Sequence, residues 1–147
     1  ILIAGLVILF TRRIRDIVLI IVPLFVAAVI TGGASGLLEL PFNFANVIVL
    51  PLLFGLGIAG NIHLLHRERQ TIGVAALMAS STPRAIVFSA LTTIGSFGSI
   101  SLSSHPGTAS MGILLTIAIV SSLLCSLILL PALMGIWPAV ASKEVAT

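Results

Sequence analysis

Apolar residues in this 147-residue chain come in long unbroken runs, not in the alternations of a soluble strand or a half-buried helix. The runs cover about 1–10, 17–38, 44–65, 84–103 and 108–134. Each of the last four approaches the ~20 residues that carry a helix across a bilayer. Hydrocarbon offers no water to backbone N–H and C=O groups, so such segments must satisfy themselves as helices. The pattern predicts an all-α fold, a polytopic membrane helical bundle: the end of one helix, four full helices and one short helix. The short helix is expected in "TIGVAALMASS", lying along the inner membrane surface. Thr82 reads as the N-cap of the helix that follows, with Pro83 at its first position. Pro51 should loosen or kink the helix of the 44–65 run.

Composition agrees with this picture. The chain is 59% hydrophobic and only 7% charged, against about 25% charged in soluble domains. The few charges alternate between connections. "TRRIRD" (11–16) and "HRERQ" (66–70) are basic, whereas "ELPFN" (39–43) and "SSHPGT" (103–108) hold no Lys or Arg. The positive-inside rule places 11–16, 66–83 and the C-terminus in the cytoplasm, with Trp137 at the inner interface. The short outer connections make antiparallel neighbours of the second and third helices, and of the fourth and fifth. In "ILIAGLVILFTRR" the positive charge follows the apolar stretch, the reverse of a signal peptide. This start is expected to be the cytoplasmic end of a helix whose beginning is missing, in the C-terminal fragment of a longer protein. No basic stripe interleaves with aromatics, so nucleic acid is not an expected partner. The single cysteine, Cys125, lies in an apolar run and reads as a small buried hydrophobe.

Polar residues inside the runs carry the candidate chemistry. Ser89, Thr92, Ser96, Ser99 and Ser103 recur at steps of three and four, along one helical face, with Thr93 beside it. Gly95 and Gly98 lie near that face, and Gly55, Gly57 and Gly60 precede Asn61 and His63 on the previous helix. Small residues let membrane helices approach, and hydroxyls can bond the carbonyl one turn back. The same hydroxyl face could instead line a hydrated or proton-conducting path. Asn61 needs a partner in lipid, and at its depth Ser89 and Thr92 are the expected ones. His63 is either a proton carrier or a hydrogen-bonded residue near the inner boundary. No Asp or Glu lies within a run to orient a His, and "GSFG" is not a nucleophile elbow, so no enzyme is expected. Three scattered His and one Cys make a poor ligand set, so neither a metal nor a cofactor is expected.

"PLLFGLGIAGNIHLLHRER", "TPRAIVFSALTTIGSFGSISLSSHPGTASMG" and "LLPALMG" together resemble the RND (resistance–nodulation–division) transporters, and among them the MmpL-like branch with its hopanoid-associated members. The likeness covers about residues 44 to 134. It implies the end of helix 8 and helices 9 to 12 of a twelve-helix protein, in the bacterial inner membrane. It further implies a homo-oligomeric, proton-driven exporter of lipids, with hopanoids, the N-terminal half and the periplasmic domains as partners. Many relatives carry an Asp-Tyr pair in a G-x-G-x-D-Y-x-I-H-L pattern. Here "GLGIAGNIHL" puts Ala59 and Gly60 at those positions. The resemblance therefore implies a relay region without its acid, in which Asn61, His63 and the hydroxyls are supporting groups. Two other functions remain open: a sterol-sensing-like module that binds lipid without pumping, and a drug or solute exporter of the same superfamily.

Overall fold

The computed structural model describes residues 14–40, 46–71 and 73–137. Helix α1 spans Ile14–Leu37, and a 3-10 turn at Asn46–Ile48 leads into α2, Val49–Glu68. The short α3, Val74–Ala79, precedes α4, Ser81–Ile100. Helix α5, Pro106–Leu124, continues through a π-helical turn, Cys125–Leu129, into α6, Leu130–Ile136. No strand occurs among the described residues, and the architecture is the all-α membrane bundle expected. The run at 1–10, residues 41–43 and Lys143 lie outside the described residues.

Three helical stretches are long and apolar enough to cross a membrane: α1, α2 and the continuous Pro106–Ile136. Helix α4 matches α2 in length at 20 residues, or about 30 Å, but its hydroxyls make it less apolar.

Local chemistry explains the helix ends. Helix α1 closes in a Schellman motif. The Leu40 amide donates to the Ser35 carbonyl at 3.0 Å and the Glu39 amide to Gly36 at 3.3 Å. This puts Glu39 at φ +51°, a left-handed position that usually falls to glycine. Gly73, at φ +88°, opens α3 in a conformation costly for any other residue. The expected cap at Thr82 is not what forms. Helix α4 starts two residues earlier with Ser80 preceding it, and the Ser80 hydroxyl turns back to the Leu77 carbonyl at 2.6 Å. Pro83 then sits in the first turn, where its missing N–H costs nothing. Pro51 likewise falls in the first turn of α2 and breaks no hydrogen bond. Pro23 lies inside α1, and Pro131 inside the continuous Pro106–Ile136 stretch.

Helices α1 and α2 run antiparallel, as paired contacts at Leu24–Gly57, Ile20–Asn61 and Arg15–Glu68 require. Helices α4 and α5 do the same around a short turn. A Cβ on Gly112 would lie 2.5 Å from the Ser101 amide nitrogen and 2.9 Å from the Phe97 carbonyl oxygen. The core forms two apolar layers. One gathers Leu19, Ile20, Leu24, Leu64, Leu65, Leu77, Leu130 and Met134 at the arginine-bearing end. The other gathers Ala27, Val49, Leu53, Leu114, Leu115 and Ala118 towards the opposite end.

Candidate functional site: a cleft between three helices

A cleft of about 560 Å³ opens between α2, α4 and the α5–π segment. Gly57, Gly60 and His63 of α2 face Ser89 and Thr93 of α4 across it, with Ser122 and Ser126 on the third wall. Ala59 lines it too, so both positions that replace the Asp-Tyr pair border the same space. His63 is exposed at the cleft, while Ser122 and Ser126 are 8% and 3% exposed. Lys, Arg, Asp and Glu are absent from the described lining residues.

Several expected residues sit elsewhere. Asn61 is fully buried and does not line the cleft. Its partner is not Ser89 or Thr92: its Nδ2 donates to the Ile20 carbonyl of α1 at 3.1 Å. Pro23 leaves the Leu19 carbonyl, four residues back, without its helical N–H; Asn61 bonds the next carbonyl, so the contact is a tie between two helices and not a replacement for the proline's missing bond. The Asn61 Oδ1 is buried without a hydrogen-bond partner among the described residues.

Of the hydroxyl face of α4, Ser89 borders the cleft while Thr92, Ser96 and Ser99 lie outside it. Ser89, Thr92, Ser96 and Ser99 are exposed. Beyond Ser89 the hydroxyls bond their own helix: Thr92 donates to the Phe88 carbonyl at 2.9 Å, Thr93 to the Ser89 carbonyl at 2.8 Å, Ser96 to Thr92 at 3.0 Å and Ser99 to Ser96 at 2.7 Å.

The glycines divide as well. Gly57 is a true close-packing site, because a Cβ there would meet Leu24 Cδ2 at 2.1 Å and Ser122 Oγ at 2.8 Å. Gly60 and Gly98 would find only ordinary contacts, with Ile86 and Thr116. Gly55 and Gly95 face open space among the described residues.

Two features escaped the sequence reading. Ser122 and Ser126 are one turn apart in "SSLLCSL", a spacing as regular as that on α4. The second is a charged clasp at the arginine end. Arg15 Nη2 meets Glu68 Oε1 at 2.7 Å, Arg15 Nη1 meets Asp16 Oδ1 at 3.3 Å, and Arg69 pairs with the other Asp16 oxygen. Arg15 Nε also donates to the Trp137 carbonyl at 2.6 Å, so the clasp joins α1, α2 and the end of α6. Asp16 is 1% exposed and Glu68 9%. The signal was present, since both acids stand inside stretches read as simply basic.

No family model matches the chain. It is 50% identical over 124 residues to the hopanoid transporter HpnN of Rhodopseudomonas palustris, and 41% identical over 124 residues to HpnN of Burkholderia multivorans. These alignments take in 84% of the chain. These relatives bear out the resemblance to the RND/MmpL transporters read from the sequence. The chain spans about 14% of the length of these HpnN relatives. A membrane protein of Methanocaldococcus jannaschii is 32% identical over 136 residues, 88% of this chain and 35% of its own length. Three membrane-capable helices and the chain's transporter relatives support a multi-pass membrane protein. The cleft thus lies among the helices of a membrane protein.

Proposed function

We propose that this chain is the C-terminal membrane part of an RND exporter that moves hopanoid-type lipids from the inner toward the outer membrane, driven by proton flow. The observation that carries this reading is the 50% identity, over 84% of the chain, to a protein named as a hopanoid transporter. The chain supplies the end of helix 8 and helices 9 to 12, and the parent protein works as a homo-oligomer. Arg15, Arg67, Arg69 and Arg84 gather at one end of the helices. The positive-inside rule counts Lys and Arg rather than net charge. Pairing with Asp16 and Glu68 therefore leaves the assignment of that end, and of the C-terminus, to the cytoplasm.

Ala59 and Gly60 cannot titrate, and the described acids, Asp16, Glu39 and Glu68, lie at or beyond helix ends. The proton-carrying carboxylate therefore belongs to the rest of the parent protein. Asn61, His63, Ser89, Thr92, Thr93 and Ser96 act as supporting polar groups. Lipid mass spectrometry on separated inner and outer membranes tests the cargo. Loss of the full-length gene should raise hopanoids in the inner membrane and deplete them in the outer; an unchanged distribution rejects hopanoid export. For the relay, removing intramembrane carboxylates of the N-terminal half should abolish export, and full export without any of them rejects proton coupling.

A further inference from the structure

We propose that Ser122 and Ser126 hold water in the cleft between α2, α4 and the α5–π segment, and that Ser126 passes a hydrogen bond from this water to the buried amide oxygen of Asn61. The cleft is then an aqueous inlet into the bundle. Hydration of this kind does not depend on the cargo proposed above.

The demand comes from Asn61. Its Nδ2 faces the Ile20 carbonyl at 3.1 Å. A carbonyl only accepts, so this contact fixes which end of the amide is the nitrogen. The Oδ1 atom is left without a donor among the described residues, on a side chain that is 0% exposed. Buried acceptors in native proteins are nearly always bonded, to protein or to ordered water.

The supply stands at the same level. Helix α2 and the α5–α6 stretch run in the same direction. Val49 and Leu53 share one core layer with Leu114 and Leu115, and Leu64 and Leu65 share the other with Leu130 and Met134. At Gly57, Leu24 of α1 and Ser122 converge on the position that a Cβ would take. One turn nearer the arginine end, α1 offers Ile20, α2 offers Asn61 and the π turn offers Ser126. Ser126 is 3% exposed and borders the cleft, so it stands between that space and the junction of the three helices.

Both serines are open to a partner. Thr31 and Thr116 donate to the carbonyl one turn back, at 2.7 and 2.8 Å, as hydroxyls in membrane helices commonly do. Ser122 and Ser126 make no side-chain hydrogen bond among the described residues. Water suits them because it donates and accepts, and a bound water needs two to four polar partners. Ser89 on the facing wall brings a third hydroxyl to the same space. No Lys, Arg, Asp or Glu on the described lining would balance an ion. Leu53, Leu56, Ile86, Ile119 and Leu123 complete the walls. Apolar surface gives water no partner, so these residues confine it to the hydroxyls. Entry is from the arginine end, where the exposed His63 stands with Ser81 and Thr82.

Hydroxyl-radical footprinting of the full-length transporter in lipid nanodiscs tests the proposal. X-ray pulses make radicals from water in place, and mass spectrometry reads which side chains they oxidise. Ile86 and Leu123, beside the cleft, should be oxidised several-fold faster than Leu64 and Leu130, which are fully buried in the apolar core. Ser122→Ala/Ser126→Ala should bring both down to the core rate, whereas Ser126→Thr, which keeps the hydroxyl, should not. Size-exclusion elution identical to the parent certifies each variant as folded. Ile86 and Leu123 oxidised no faster than the core leucines in the parent protein would mean a dry or lipid-filled cleft and overturn the proposal. Oxidation that survives the loss of both hydroxyls overturns the serine site. Thermal midpoints read the link to Asn61: the drop caused by Asn61→Ala should shrink by about half in a Ser126→Ala background. An undiminished drop overturns that link.

Discussion

Asn61 shows how a single side chain can be misjudged from its neighbours in sequence. Helical spacing puts it at the level of Ser89 and Thr92, but spacing states depth, not direction. The amide turns to α1 and donates to the Ile20 carbonyl, tying the two helices together. Asn61→Ala should destabilise the detergent-solubilised protein by about 1–2 kcal/mol. Thermal unfolding beside the parent measures the loss, and an unchanged midpoint would refute the buried bond. Glu39 offers the opposite case, a residue standing where another would do better. At φ +51° it bears the left-handed penalty, and Glu39→Gly should stabilise by about 1 kcal/mol in the same assay.

Among the elements, the helices were legible in the sequence because lipid leaves the backbone one solution. The apolar runs from 17 to 38 and 108 to 134 match α1 and the α5–α6 stretch within a few residues. The faces were not legible. Hydroxyls on α4 and on the α5–π segment have similar spacing, but the first set is exposed and Ser122 and Ser126 are buried. Periodicity identifies residues that share a face and says nothing of what that face meets. Glycine content misleads in the same way. Gly112, passed over in the sequence, would press a Cβ against the backbone of α4, whereas Gly55 and Gly95 have room. Gly112→Ala should cost about 1–3 kcal/mol. Gly55→Ala and Gly95→Ala should be neutral or stabilise by up to about 1 kcal/mol. Thermal midpoints of the three variants decide the matter, and a Gly112 variant as stable as the parent would refute the close approach of α4 and α5.

For the whole molecule, the clasp and the cleft divide the labour. Arg15, Asp16, Glu68 and Arg69 tie α1, α2 and the end of α6 together, while the cleft separates α2 from α4. Glu68→Gln removes the shorter of the two carboxylate contacts of Arg15, which keeps Asp16, so it should cost about 1.5–3 kcal/mol, the worth of a hydrogen bond to a charged group. Arg69 is half-exposed, and solvent screens its share, so Arg69→Gln should cost about 1 kcal/mol or less. Equal losses for the two variants would contradict the buried geometry of the clasp.

The π-helical turn at Cys125–Leu129 has a consequence for insertions and deletions. The Leu130 amide bonds the Cys125 carbonyl, five residues back instead of four. The turn therefore stores one surplus residue, and the wider loop lies just before Pro131, whose ring would crowd an ordinary α turn. Elsewhere in these helices, losing one residue would swing everything beyond it by about 100° and scramble the core. Here, removing the exposed Ile128 would leave Leu130 and Met134 facing their present neighbours. The proline would then be the obstacle, and deletion combined with Pro131→Ala would remove it. This helix can thus shorten by one residue without changing which side chains it buries, a length change closed to the rest of the bundle.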